Sequence, residues 1–142
     1  MPARPNQPGR RLSLAERLPQ GRQFPAHAGE LTAQLGIGAL RELDGVVRRL
    51  GPGACLRPPV FAQLVAYVGE TLKAGLGGDW QTRPAADGTG WEPWLVDASG
   101  REHAPAGIVF KELTQWGPEA SLSGVVRGDL IRYGGPASLP PA

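Results

Sequence analysis

The sequence predicts an α+β domain, and three observations carry that prediction. Residues 30–76 repeat apolar side chains at helical spacing. From Gly77 that spacing gives way to short segments rich in tryptophan and valine, separated by turn-forming residues. Beyond Pro105 the helical spacing returns. At 142 residues the chain fits one domain, long enough to bury roughly two-thirds of its unfolded surface without disulfides or metal. The reading places a single domain at residues 30–133. In it, two N-terminal helices pack on a small antiparallel sheet, and one or two further short helices follow.

Residues 1–29 read as a disordered basic arm. Pro2, Pro5, Pro8, Pro19 and Pro25 fall too often for a packed element. Arg4, Arg10, Arg11, Arg17 and Arg22 stand there against one acidic residue, Glu16. The rest of the chain holds ten basic and twelve acidic residues, so the net charge of +2 originates in the arm. Within it, Ser13–Leu18 ("SLAERL") has a capping serine and a terminating proline, enough for one turn.

The first long helix is expected from about Glu30 to Leu50. Leu31, Leu35, Ala39, Leu43, Val46 and Leu50 share one face, and "GPG" at 51–53 ends it. Gly36, Gly38 and Gly45 weaken it by up to about 1 kcal/mol each relative to alanine. The second helix opens with Pro58 and Pro59. Its stripe of Val60, Phe61, Leu64, Val65, Val68, Leu72 and Leu76 is wide enough for the central helix of the domain.

Trp80–Thr82 then reads as a short strand, "PAADGTG" as a loop and Trp91–Val96 ("WEPWLV") as a second strand. Pro93 there requires an edge position or a bulge. Asp97–Gly100 is a turn, and Arg101–His103 a returning strand. Short helices are expected after Pro105 and over Pro118–Tyr133. Residues 134–142 have the composition of a disordered tail.

The glycine-rich run Tyr67–Trp80 ("YVGETLKAGLGGDW") invites comparison with a phosphate-binding loop. Such a loop needs glycines ahead of a helix, where free amides and the dipole attract anions. Here they follow one, and the spacing fits neither the G-x-x-x-x-G-K-[ST] nor the G-x-G-x-x-G pattern. The reading is instead a C-terminal cap, with Gly77 or Gly78 left-handed and Trp80 folding back onto the apolar stripe. Glu70 lies between Val68 and Leu72, near that stripe. It is either paired, with Lys73 within reach, or a semi-buried carboxylate of functional interest.

No G-x-S-x-G, H-E-x-x-H or related signature occurs. His27, His103 and Cys55 lack the spacing of a metal site, and an enzyme built on Glu70, His103 and Lys111 is the least favoured reading. No cofactor, metal or catalytic residue is assigned. One cysteine, no apolar run of bilayer length and no signal-peptide core point to a cytoplasmic protein without a membrane contact. Of the four tryptophans, Trp91 and Trp94 are candidate anchors for a partner protein.

The order Tyr67-Val68-Gly69-Glu70, then Gly77-Gly78 and Trp80, then Pro105, Val109 and Lys111 resembles an uncharacterised family of small bacterial α+β proteins. In that family a Y-[LV]-G-E helix runs into a G-G-x-W strand. The likeness spans roughly residues 60–115. It implies a small α+β fold and brings no catalytic residues. Through the toxin–immunity or secretion loci of such families, it implies a protein-binding role. The functional expectation is a non-catalytic protein-interaction module, an immunity or accessory factor, binding through Trp91, Trp94, Tyr67 and Glu70. The alternative is a nucleic-acid-associated protein using Arg4, Arg10, Arg11, Arg17 and Arg22.

Overall fold

In the computed structural model, which describes residues 11–140, helices α1 (Phe24–Gln34), α2 (Leu43–Leu50), α3 (Pro52–Cys55) and α4 (Pro58–Leu76) precede the sheet. Strands β1 (Asp79–Pro84), β2 (Trp91–Val96) and β3 (Glu102–His103) follow, then α5 (Pro105–Trp116) and α6 (Leu122–Gly134). The α+β class holds. The expected pair of N-terminal helices on the sheet does not: four α-helices precede the strands, and the sheet rests on α1 and α5.

Helix α4 is the axis of the fold. Its two leading prolines occupy positions whose amides have no intrahelical partner. Phe61, Leu64, Val65, Val68 and Leu72 are fully buried, each worth about 1.5–3 kcal/mol of transfer free energy. They pack among α1, α5 and α6. The helix stops where the glycine run predicts. Gly77 takes φ +75° and its amide donates to Lys73 O at 2.8 Å. Gly78, at φ +93°, lies so close to Val96 O that a Cβ there would overlap it. The next turn is tied to the same helix end, since the Ala98 amide donates to Leu76 O at 3.2 Å.

The helix expected over Glu30–Leu50 is broken in two. Gly36, at φ +66°, follows the end of α1 and donates its amide to Ala33 O. Ala39 is extended, a 3₁₀ turn covers Leu40–Glu42, and the Gly38 amide donates to Glu42 Oε2 at 3.0 Å. Leu31, Leu40, Leu43, Val46 and Val47 are nonetheless all buried, whereas Leu50 is exposed.

The segments expected to be disordered belong to the fold as far as they are described. Ser13 and Glu16 cap each other, the Ser13 amide to Glu16 Oε1 and the Glu16 amide to Ser13 Oγ, around the 3₁₀ turn Ala15–Arg17. Leu18 and Phe24 are buried in the core. Beyond α6, the turn Pro136–Ser138 carries the chain back over α4, where Leu139 packs on the core.

Strand β2 is central, antiparallel to β1 from Asp79↔Val96 to Pro84↔Trp91, and to β3 through Leu95↔His103 and Val96↔Glu102. Strand β3 is too short to reach Pro93. The missing proline N–H is therefore tolerated at a stretch of β2 that is an edge on one side, as the sequence requires. The pleat sorts the side chains. Trp80, Thr82, Trp91, Pro93, Leu95 and His103 face the helices. Asp79, Gln81, Arg83, Glu92, Trp94, Val96 and Glu102 face away, and none of these seven is buried.

Candidate functional site

Glu70 and Trp80 define the first feature. Folding back from the start of β1, Trp80 lays its indole on α4 at Gly69, where a Cβ would overlap the ring. Phe24 meets it edge-on, centroids 5.4 Å apart. This places the indole Nε1 so that it donates to Glu70 Oε2 at 2.9 Å. Glu70 is therefore paired, as one of the two sequence readings held, but with the indole instead of Lys73. Its second oxygen has no hydrogen-bond partner among the described residues.

Beside that carboxylate lies an open groove of about 390 Å³. Tyr67, Glu70, Thr71, Ala74 and Gly75 form one wall, at the spacing of a single helical face. Ala137–Pro140 form the other. Close approach at Gly75 sets the width: a Cβ there would lie 2.6 Å from Ser138 O. Ser138 Oγ fixes the far wall, 2.7 Å from both Leu130 O and Gly135 O. Burial, with Glu42 nearby, raises the Tyr67 phenol above its ordinary range. Tyr67 and Glu70 thus share a site.

The two remaining candidates do not join it. Trp91 and Trp94 stand on opposite faces of β2. Trp91 lies inward at the sheet end, with the Arg22 guanidinium 4.5 Å from its ring centroid and Gly21 beside it. Trp94 stands on the outward face. The Arg83 guanidinium lies 4.8 Å above its ring and pairs with Glu102. That pairing holds the Glu102 carboxyl below its ordinary range. Among the described strand residues that share the outward face with Trp94, Asp79, Glu92 and Glu102 stand against the single cation Arg83.

Of the arm's described arginines, Arg17 does not lie on the surface. Arg17 is buried, 8% exposed, its guanidinium donating to Leu56 O (2.5 Å) and Leu12 O (3.1 Å) and lying 5.3 Å from the Phe110 ring. Burial, then the nearby Arg11, lowers its pKa. Arg17 is therefore a structural residue, which corrects its place among nucleic-acid contacts. Arg22 and Arg11 are exposed, and Arg4 and Arg10 lie outside the described residues.

The histidine and cysteine candidates are separated. His103 is buried and its Nε2 lies 2.8 Å from Asp97 Oδ2. Asp97 Oδ1 accepts the Ser99 and Arg101 amides, both at 2.9 Å. Burial pushes the Asp97 carboxyl up, but the bonds from His103, Arg101 and Ser99 outweigh it and hold it below the ordinary range. An ionised carboxylate only accepts, so Nε2 of His103 carries the proton. Tyr133 meets the imidazole edge-on at 5.3 Å. The pair staples the β2–β3 turn. Cys55 is buried in the core, its thiol pKa raised by desolvation. Lys111 lines a different groove, between α5 and α6. Among the described residues no group of three His, Cys, Asp or Glu side chains is placed to hold a metal, and no helix is long and apolar enough to cross a membrane.

One constellation escaped the sequence reading. Asp44 on α2 accepts Ser121 Oγ (2.8 Å), Ser123 Oγ (2.6 Å) and the Ser123 amide (3.0 Å), binding α2 to the start of α6. Its members lie 77 and 79 residues apart, with no local pattern to mark them. No family model matches the chain, and neither does any curated protein or solved structure.

Proposed function

We propose that the chain is a non-catalytic protein-interaction module, of the accessory or immunity kind, that presents the outward face of its sheet to a basic surface of a partner protein. The observation that carries this reading is Trp94, which stands among Asp79, Glu92 and Glu102 on a face with no buried residue. A large aromatic ringed by polar groups is the usual form of an interface anchor. The Arg83 guanidinium seated between the Trp94 ring and Glu102 is the chemistry that a partner's arginine would use. The use of the His103–Asp97 pair inside a turn supports a non-catalytic role.

The test is capture of the partner from host cells, followed by reconstitution with the purified protein. Trp94→Ala abolishes binding, added salt weakens it, and Trp91→Ala retains it because Trp91 faces inward. Undiminished binding by Trp94→Ala, or equal loss in both variants, rejects the outward face as the contact.

A further inference from the structure

The groove between α4 and the C-terminal turn is separate from the outward sheet face, and its chemistry is different. Among the described residues, Glu70 is the one charged residue that lines it. The carboxylate is held in place because Oε2 accepts the Trp80 indole, itself fixed by Gly69 and Phe24. Oε1 is left without a hydrogen-bond partner among the described residues. Ala74, Gly75, Ala137, Leu139 and Pro140 supply apolar walls, and Tyr67 an aromatic side chain one turn before Glu70. A held carboxylate, an aromatic ring and an apolar channel complement a positive charge carried on a short aliphatic stem. The channel volume is at the small end of the range for organic ligands.

We propose that this groove is a binding site for a small organic cation, an alkylammonium or alkylguanidinium. The cationic head bonds Glu70 Oε1 beside Tyr67, and the stem runs along Ala74 and Gly75 toward Leu139. Displacement of water from the apolar walls strengthens the ion pair, since the charges meet in a medium of lower dielectric than bulk water. Trp80 reports occupancy, because its indole proton is bonded to the carboxylate that receives the ligand.

The experiment follows the indole ¹⁵N–¹H signal of Trp80 in the full chain, assigned by its loss in Trp80→Phe. The probes are n-butylamine and n-butylguanidine, with n-butanol and n-butyrate as controls. The cations shift the signal saturably, with dissociation constants on the order of millimolar, as expected for ligands of so few atoms. The controls do not. Glu70→Gln keeps an oxygen for the indole, so the signal stays in its hydrogen-bonded position while the saturable shift disappears. Tyr67→Leu weakens binding by roughly threefold through the lost cation–π contact. The proposal is overturned by an equal response to n-butanol, by an undiminished shift in Glu70→Gln, or by the absence of a saturable shift with either cation. None of these outcomes bears on Trp94, so the sheet-face reading is judged independently.

Discussion

The Trp80 indole donates to Glu70 Oε2 across ten residues, joining the first strand of the sheet to the helix that precedes it. Its geometry separates the role of the charge from that of the acceptor. Glu70→Ala leaves the indole N–H without its partner and lowers stability by about 1–3 kcal/mol. Glu70→Gln retains an acceptor and costs less than half as much. Denaturant midpoints of the two variants measure the difference, and equal losses would show that charge, not the bond, is what matters.

Gly69 is the seat of the same ring. Gly69→Ala drives the indole off the helix and destabilises by about 1–3 kcal/mol, as overpacking does. Near-ultraviolet circular dichroism should change with it, since Trp80 and Phe24 lose their edge-on contact. An unaltered spectrum with unaltered stability would contradict the packing described.

The N-terminal segment contributes to stability through its apolar residues and Arg17, not through its charge as a whole. Leu18→Ala costs about 2–5 kcal/mol. Arg17→Ala releases the Leu56 and Leu12 carbonyls and also destabilises. Arg22→Ala changes stability by at most about 1 kcal/mol, because Arg22 is exposed and its guanidinium stacks on the Trp91 ring. Thermal unfolding of the three variants ranks them, and a large effect at Arg22 would overturn the assignment.

Asp97 gives stability a defined acid limit. Its carboxyl is depressed in the folded state, so it adds stability above its unfolded pKa of about 3.9 and loses it as pH falls through the folded value. Burial raises Asp129 instead, against Arg132 and His103, so its protonation on acidification acts in the opposite direction. The stability difference between wild type and Asp97→Ala, measured in an Asp129→Asn background, should narrow as pH is lowered from about 5 to 2. A difference independent of pH over that range would mean that the turn is held by its backbone alone.

Much of this fold was legible because its signals are local. Pro58 and Gly77 bracket α4, and Trp91–Val96 is a strand with the ends the sequence gives it. The break at Gly36 was hidden because Leu31, Leu43 and Val46 remain inward on both sides, so the apolar spacing runs through a bend as it would through a straight helix. Leu18 and Phe24 were hidden by the prolines around them, whose frequency reads as disorder although the intervening side chains reach the core. Of the site, Tyr67 and Glu70 were named from one helical turn. The groove they form needs residues 137–140, some seventy positions away, and no periodicity reports that approach. Trp91 and Trp94 stand three positions apart, a spacing that along a strand places them on opposite sides, and the register shows that it does.

The amide of Ala98 sits in an exposed turn, yet its hydrogen bond is to Leu76, the last residue of α4. Exchange of that proton with solvent therefore requires the end of the helix to come free of the turn. Gly78 lies close against Val96 O at the same joint, so the helix end and the sheet are packed together there. An amide that surface position would mark as fast-exchanging should be protected to the level of the central helix, and the two layers should unfold as one cooperative unit.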